Sequence, residues 1–184
     1  MKHTKTEIKF FPIPAWKKEE NYLREQHKNG WEFVSVSGFC LYRFRRCEPK
    51  DVVYQLDYNP DSLTNKYEYI QMFRDCGWEY LQNYVGYSYF RKDFSEMDGA
   101  EEHIFCDDAS RLDMMKRVFA GRMIPLVVMF FSIIIPQIIM QSRVHTPFNY
   151  GLLVFFCVMF VVYLVMFIAF AIPYWKYYKS AHKK

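Results

Sequence analysis

The sequence lacks the short motifs that mark the common enzyme classes. It contains no glycine-rich phosphate loop, no HExxH zinc signature and no GxSxG nucleophile motif. Its five cysteines form no CxxC pair, and the six residues that separate Cys40 from Cys47 match no common metal or redox spacing. These absences predict a protein that is not an enzyme, with no catalytic, cofactor-binding or metal-binding residue.

Acidic residues are absent after Asp113. The same part of the chain contains two runs without any charged residue, residues 123–141 and 151–172. Each run has about the 20 residues that an α-helix needs to cross a hydrocarbon core of roughly 30 Å. Two such runs close together predict a transmembrane hairpin rather than the buried core helices of a soluble protein. We expect transmembrane helices over 123–141 and 151–175, joined by an external loop over 142–150.

Basic residues flank these two runs unevenly. Seven lie outside the hairpin and one, Arg143, lies in the loop between the runs. Because Lys and Arg near the ends of a span resist translocation, this asymmetry predicts a multi-pass protein of the cell membrane with both termini in the cytoplasm. The N-terminal segment has no apolar stretch long enough for a signal peptide, so residues 1–122 are predicted to be cytoplasmic. The seven outer residues are Lys116, Arg117, Arg122, Lys176, Lys179, Lys183 and Lys184.

The segment before the hairpin repeats itself. "GWEF" at residues 30–33 returns as "GWEY" at 77–80, and each motif follows a segment rich in helix-forming residues, 16–29 and 65–76. A glycine just past a helix closes the last turn in the left-handed conformation, so each motif predicts a helix stop followed by a buried tryptophan. The predicted structural anchors of the repeat are Gly30, Trp31, Gly77 and Trp78.

Strand-like segments complete the predicted duplication. "EIKFFPI" precedes the first helix and "DVVYQLDY" precedes the second. Tyr22 and Tyr69 occupy matching places in the two helices, at the same spacing of 47 residues as the tryptophans. We therefore expect an α+β domain over residues 1–92, in which duplicated strand–helix–strand–strand units form one ferredoxin-like antiparallel sheet of about six strands with two helices.

Two short helices can cover only one face of such a sheet, yet its strands carry bulky residues on both faces. A second copy of the domain, a partner protein, an apolar ligand or the membrane-proximal linker could cover the other face. A second copy is the simplest, because identical subunits in one membrane are already concentrated and co-oriented. Nucleic acid is not expected, since the RNP signature is absent and the chain up to Asp113 is net acidic. The predicted interaction surface consists of Tyr42, Phe44, Tyr54, Tyr87 and Tyr89.

An acidic linker is predicted between the domain and the hairpin. It covers residues 93–110 and includes the stretch "EEHIFCDD", whose mixed ligand types match no known metal site. Ser110 and Asp113 have the spacing of a capping box, which predicts a juxtamembrane helix over residues 111–122. Residues 176–184 form a basic cytoplasmic tail.

The tandem pattern resembles a known family. "KNGWEF…YRF…EPKDVVYQLDY" followed by "YIQMFRDCGWEYL…YFRK" is similar to the bacterial domain-of-unknown-function family 2812 (DUF2812) over residues 8–92. The resemblance implies membrane spans after the domain, and many such proteins are encoded beside PadR-type transcription regulators. It implies a role in membrane-associated sensing or regulation and supplies no catalytic residues.

These observations predict a non-enzymatic, membrane-anchored cytoplasmic module for sensing or protein interaction. Its expected partners are the membrane and either a second copy, which would make a homo-oligomer, or a membrane or regulatory protein such as a PadR-type regulator. The alternative is a small membrane-integral effector or an accessory subunit of a transporter complex. Charged residues are absent from both runs, which weighs against a transport path through this chain alone.

Overall fold

The computed structural model of the chain describes residues 3–38, 40–60, 65–97, 102–104, 108–143 and 146–181. It divides into two compact units, Met1–Asp107 and Asp108–Lys184, which we call the N-terminal and C-terminal units. The first is built from strands and helices, and the second from helices. This composition confirms the predicted α+β class and the two apolar helices that follow it.

The N-terminal unit contains two successive strand–helix–strand–strand segments. The four elements of the first are β1 (Thr4–Ile8), α1 (Trp16–Lys28), β2 (Trp31–Ser37) and β3 (Leu41–Arg46). The four elements of the second are β4 (Val52–Tyr58), α2 (Lys66–Asp75), β5 (Glu79–Tyr84) and β6 (Tyr87–Asp93). A short 3₁₀ turn, Ile13–Ala15, precedes α1, and another, Phe94–Glu96, follows β6.

The strands form two antiparallel sheets of three strands each. The first sheet has the order β1-β3-β2, and the second has the order β4-β6-β5. The prediction of one six-stranded sheet is therefore wrong. A bulge shifts the register of β2 between Phe33 and Ser35, and another shifts β5 between Tyr80 and Gln82. Bulges disrupt the regular row of backbone groups that pairing needs, which accounts for two sheets where the strand count suggested one.

Side chains join the two sheets where β2 and β5 approach each other. The Gln82 amide nitrogen donates to the Val36 carbonyl, and the Val36 amide donates to the Gln82 side-chain oxygen, both at 3.3 Å. The Tyr84 hydroxyl donates to the Gly38 carbonyl at 2.6 Å. These contacts fix the relative position of the sheets without a continuous backbone ladder.

Helix α1 packs against both sheets. Its buried residues, Trp16, Glu19, Leu23 and His27, recur every three or four positions and therefore form one stripe along the helix. On the first sheet, the Tyr22 ring lies 5.9 Å from the Tyr42 ring. On the second, Arg24 pairs with Asp51 at 2.6 Å, just before β4.

Helix α2 covers the other face of the second sheet. Phe73 lies 4.3 Å from Phe90, and Trp78 belongs to the same buried cluster as Val53 and Met97. Both helices end at glycines in the left-handed region, since φ is +79° at Gly30 and +80° at Gly77. Each glycine amide donates to a carbonyl in the last turn of its helix.

The C-terminal unit consists of two long helices. The first covers residues 108–142 and includes α3 (Asp108–Val118), α4 (Ile124–Met129) and α5 (Ile135–Ser142), separated by π turns at Phe119–Met123 and Phe130–Ile134. Each π turn directly precedes a helix segment with a proline in its first turn, Pro125 or Pro136. A proline has no N–H and its ring crowds the preceding turn, so the wider turn lets the helix continue past it.

The second long helix is α6 (Pro147–Ala181), which packs on the first through Phe130, Ile134 and Tyr163. Segments Ser110–Ser142 and Phe148–Ser180 are long and apolar enough to cross a membrane by length and composition. Helix α3 already includes Ser110, so the predicted capping box at that residue is wrong. The predicted linker is also partly ordered, because Asp93 ends β6 and helix α3 begins at Asp108.

Candidate functional site

The aromatic residues predicted to form an interaction surface are core residues instead. All five are between 0% and 7% exposed in the folded chain. Phe33 stacks on Tyr89 with ring centres 5.5 Å apart and also contacts Tyr54 and Tyr42. Helix α1 and the inner faces of the two sheets enclose these rings. Alternation along the strands could not show that the two sheets and α1 cover these residues. The predicted surface residues that are buried instead are Tyr42, Phe44, Tyr54, Tyr87 and Tyr89.

The two tryptophans of the repeat lie in different environments. Trp78 is 3% exposed and is packed among apolar side chains. Trp31 is half-buried, and its ring lies beneath the Lys5 ammonium and the Arg46 guanidinium at 4.8 and 5.0 Å. Trp31 is therefore placed between cations at the surface, whereas Trp78 is placed in the core.

A buried carboxylate lies between the sheets. Glu19 on α1 accepts hydrogen bonds from the hydroxyls of Tyr42 on β3 and Tyr89 on β6, at 2.6 and 2.5 Å. Burial, reinforced by the nearby Glu19 carboxylate, raises the pKa of both tyrosines, so each hydroxyl keeps its proton and donates it. This arrangement connects α1 to both sheets through a satisfied polar contact.

An open cleft of about 410 Å³ lies at the end of the N-terminal unit where α1 terminates. The end of β6, the starts of β2, β4 and β5, and the segment between β3 and β4 all contribute to its wall. Acidic, basic, imidazole and thiol groups are thus brought together from both halves of the unit. The lining residues are His27, Glu32, Cys47, Glu48, Lys50, Val52, Glu79, Arg91 and Asp93.

Arg91 joins the two halves at this cleft. It forms ion pairs with Glu32 from β2 and with Glu79 from β5, the latter at 2.6 Å. Burial lowers the pKa of Arg91, but the hydrogen bonds with Glu79 and Glu32 outweigh it and hold the pKa above its usual value. Burial raises the pKa of Glu32, but its bonds with Arg91 and Arg45 outweigh that effect and lower the pKa. Arg91 and Glu32 therefore remain charged and fix each other.

His27 forms the inner wall of the cleft. Its Nδ1 atom lies 2.8 Å from the Tyr54 hydroxyl, while its second ring nitrogen has no hydrogen bond within the described part of the chain. Burial, together with the positive charge of Arg91, lowers the pKa of His27, so the ring is neutral near pH 7. A neutral imidazole offers one further hydrogen bond to a molecule that enters the cleft.

The chemistry of the cleft favours binding over reaction. Burial, with the Glu32 charge next, raises the pKa of the Cys47 thiol, which therefore stays protonated and weakly nucleophilic. Arg91 engages the carboxylates of Glu32 and Glu79, and the lowered pKa of Glu32 makes that carboxylate a poor proton acceptor. Over the described residues, no group of three or more His, Cys, Asp or Glu side chains has the arrangement of a metal site.

The sequence contained a partial signal for this site. Glu32 and Glu79 are the acids of the two Gly-Trp-Glu motifs, which strand alternation predicts to be separate and solvated. The structure instead brings both onto Arg91. The acidic stretch before the hairpin is also engaged in part, because Glu102 pairs with Lys92 at 2.6 Å and His103 lies 2.6 Å from Gln55. Ile104 also belongs to it, with its amide donating to the Gln55 side-chain oxygen at 2.7 Å, while residues 101 and 105–107 lie outside the described ones.

A comparison with protein families gives a match that covers more than half of the chain. The model described as "Protein of unknown function (DUF2812)" matches residues 15–129. The match begins just before α1, includes every strand except β1 and extends through α4. No curated protein and no solved structure matches the chain.

Proposed function

Because the chain belongs to the DUF2812 family, whose description assigns no activity, we propose its function from its two units. We propose that it is a non-enzymatic, membrane-anchored module for sensing or protein interaction. The N-terminal unit recognises a ligand or partner in the cytoplasm, and the C-terminal helices hold it at the membrane. The observation that carries this proposal is the open cleft around His27 and Arg91.

The cleft suits recognition of a polar group. Its ion pairs hold the wall in one geometry before anything binds, which reduces the ordering cost of binding. Four carboxylates line it against two cationic side chains, Lys50 and Arg91. The excess negative charge favours a cationic group on the ligand or partner, with His27 supplying a hydrogen bond beside it. Residues of both halves form this wall, so binding there would be sensitive to their relative position.

Membrane anchoring is proposed from the two long apolar helices. We infer that both cross the bilayer and that both chain termini lie in the cytoplasm, since seven of the eight basic residues near the spans lie outside the hairpin. Aromatic residues near the end of α6, including Trp175 and Tyr178, are of the kind enriched at membrane interfaces. Cytoplasmic partners would include a second copy or a PadR-type regulator, and nucleic acid is not expected.

The N-terminal unit is further proposed to be a duplicated, ferredoxin-like pair. Support comes from the identical strand order of the two sheets and from two matching hydrogen bonds. The Tyr22 hydroxyl donates to Glu7 on β1, and the Tyr69 hydroxyl, 47 positions later, donates to Asp57 on β4. In each half, a helix tyrosine thus binds an acid on the first strand.

Site-specific photocrosslinking in membranes tests the recognition proposal. A photoreactive phenylalanine analogue is placed at Glu48, an exposed residue of the cleft. A protein partner bound in the cleft should give a discrete crosslinked product. A small ligand that occupies the cleft should instead reduce crosslinking to bulk protein. The matched control replaces Asp75, which is exposed on α2 and does not line the cleft. Equal crosslinking at both positions, with no product specific to Glu48, would argue against recognition in the cleft. Retention in the pellet after alkaline carbonate washing tests the membrane anchor separately.

A second candidate, a membrane-integral effector or accessory subunit, is supported by a different observation. An apolar pocket of about 360 Å³ lies between the two long helices of the C-terminal unit. Such a pocket could accept a lipid chain or a helix of a larger membrane complex. The photoreactive analogue at Val127 tests this candidate, because crosslinking there to one membrane protein, with none at Glu48, would favour the effector. The pocket is lined by Phe119, Met123, Val127, Phe167, Phe170, Ala171 and Tyr174.

A further inference from the structure

Four segments meet at the end of the N-terminal unit opposite the cleft, which we call the hairpin end. They are the end of β1 with residues 8–10, the β2–β3 turn, the end of β4 and the β5–β6 turn. The name refers to the turns of these two β-hairpins and not to the predicted transmembrane hairpin. The Lys9 amide donates to the Cys40 carbonyl at 3.1 Å, and the Asn59 amide donates to the Gly86 carbonyl at 3.1 Å. The Tyr84 hydroxyl connects the two turns through Gly38. The hairpin end is therefore one continuous surface.

Large apolar side chains project from this surface. Ile8 is 77% exposed, Phe10 is 76% exposed, Val85 is 59% exposed and Leu41 is 38% exposed. They come from both halves of the unit. Two lie on β1 and its extension, one lies on the β2–β3 hairpin and one lies on the β5–β6 hairpin. Single exposed apolar residues are common on soluble proteins, but a group at one end of a unit marks a contact site.

Val85 is an unusual residue for its position. It and Gly86 occupy the two-residue turn between β5 and β6 with φ values of +50° and +82°. Turns of this type favour Asn, Asp or Gly, because the left-handed conformation crowds a β-branched side chain. A polar turn residue would suit both the backbone and water better. The turn instead presents an apolar side chain to the outside, which points to a contact that the side chain makes there.

The charge around the hairpin end is positive. Lys9, Lys17, Lys18 and Arg43 are exposed on or beside it. The acids of the adjoining strands are engaged internally, because Glu7 accepts from Tyr22 and Lys5 and Asp57 accepts from Tyr69. Residues 1–47 carry ten Lys and Arg against five Asp and Glu, whereas residues 48–107 carry five against thirteen. The half that supplies Ile8, Phe10 and Leu41 to this end is therefore the basic one.

We infer that the hairpin end docks on an anionic membrane surface, with its apolar side chains in the interfacial region and its basic residues at the lipid headgroups. Apolar groups surrounded by Lys and Arg have the composition of interfacial membrane-binding segments. This inference rests on the proposed membrane anchoring. Because the chain itself would hold the unit close to the bilayer, a weak contact is enough to keep the hairpin end docked.

Quenching by spin-labelled lipids tests the inference in the full chain. The native cysteines are replaced by serine, and a bimane fluorophore is attached at Val85→Cys or, as control, at Met72→Cys. Met72 is a matched apolar residue, 54% exposed on α2. The protein is placed in nanodiscs of equal parts phosphatidylcholine and phosphatidylglycerol with nitroxide headgroup lipid. We expect several-fold stronger quenching at position 85 than at position 72.

Neutralising the basic residues provides the second arm. Each Lys or Arg near an anionic surface contributes about 1 kcal/mol, so Lys9→Gln with Arg43→Gln should lower the docking equilibrium constant about thirty-fold. The control pair, Arg46→Gln with Arg74→Gln, lies near the C-terminal ends of β3 and α2, away from the hairpin end, and should leave quenching unchanged. Phosphatidylcholine alone should weaken quenching in the unmodified background. A label at Phe10→Cys checks that the result does not depend on the β5–β6 turn.

The outcomes separate this inference from the proposed function. A chain that does not co-elute with the discs would contradict the membrane anchor, and the docking inference with it. A chain that co-elutes but shows equal quenching at positions 85 and 72 would overturn docking alone. A blue shift at position 85 without quenching would mean that protein, such as a second copy, covers the hairpin end. Quenching at position 85 that is the same in the Lys9→Gln, Arg43→Gln variant and in discs of phosphatidylcholine alone would overturn recognition of an anionic surface.

Discussion

The two sheets of the N-terminal unit share one strand order but differ in how they are covered. Every residue of β4 is buried, whereas β1, which holds the same place in the first sheet, alternates between exposed and half-buried positions. Helix α2 covers one face of the second sheet, and α1 with the first sheet covers the other. The first sheet has α1 on its inner face and exposed Arg43 and Arg45 on its outer face. Strand order alone therefore does not determine which residues form the core.

The same contrast separates the two tryptophans, so substituting them tests it most strongly. Trp78→Ala should lower the free energy of unfolding by about 3–5 kcal/mol, because it empties a buried aromatic site. Trp31→Ala should cost about 1–2 kcal/mol, since it removes a half-buried ring and contacts with two cations that are each worth roughly 0.5–1 kcal/mol. Denaturant unfolding of the full chain in micelles, followed by circular dichroism, measures both.

Phenylalanine at each position is the control for that comparison. Trp78→Phe should recover most of the lost stability, because it refills much of the cavity. Trp31→Phe should recover less of the smaller loss, since the cation contact is weaker with Phe than with Trp. Equal losses of unfolding free energy in the two alanine variants would mean that both halves cover their tryptophans alike, contrary to the burial of Trp78 and the partial exposure of Trp31.

The sequence could predict the local elements because their signals are local. About ten consecutive residues are enough to recognise the glycine after α1 or α2, or the strand before each helix. The division into two sheets depends on bulges near Phe33 and Tyr80, and a bulge leaves no such clear local pattern. Alternation on β3 and β6 identified large aromatic residues but not what covers them.

The cleft was not predicted for a related reason. Glu32 and Glu79 are recognisable as equivalent acids in the repeat, yet their convergence on Arg91 requires β2 and β5 to lie side by side. His27 lies at the end of α1 and reaches the cleft only because that helix crosses to Tyr54 of the second sheet. Contacts between the halves, rather than contacts within either, build the site.

The two helix-ending glycines provide a comparison of smaller size. Gly30→Ala and Gly77→Ala should each cost about 1–2 kcal/mol, because both residues have left-handed φ values. A Cβ at Gly30 would also lie 3.1 Å from the Cys47 carbonyl, whereas a Cβ at Gly77 would meet the flexible end of Lys92 at 3.2 Å. We therefore expect the larger loss at Gly30. Tryptophan fluorescence during denaturant unfolding measures the difference.

Asparagine is the control at these positions, because it tolerates the left-handed region better than alanine does. Gly77→Asn should recover part of the stability lost in Gly77→Ala. Gly30→Asn should recover less, since the backbone carbonyl of Cys47 still opposes its Cβ. A larger loss of stability at Gly77 than at Gly30 would show that the close approach of a Cβ at Gly30 to the Cys47 carbonyl does not affect stability.

The smallest expected effect concerns Asp51, which connects α1 to the start of the second sheet. Its bidentate hydrogen bonds with Arg24, at 2.6 and 2.9 Å, hold the pKa of the carboxyl below its usual value near 4, against the opposing effect of burial. A lowered pKa in the folded state means that the ionised form stabilises the fold above the unfolded-state pKa. That contribution is lost as pH falls through the folded-state pKa. Since about a third of the side chain is exposed, we expect about 1 kcal/mol.

Asp51→Asn should therefore destabilise the chain near pH 7 and have a shrinking effect as the pH falls below about 4. Asp75→Asn, which removes an exposed carboxylate on α2 instead, is the matched control. Unfolding midpoints measured from pH 7 down to pH 3 for the three proteins separate these cases. A constant difference between the unmodified chain and Asp51→Asn across that range would mean that the carboxylate contributes no charge-dependent stability, and that other contacts, such as those of Glu19 with Tyr89 and of His27 with Tyr54, hold α1 to the second sheet.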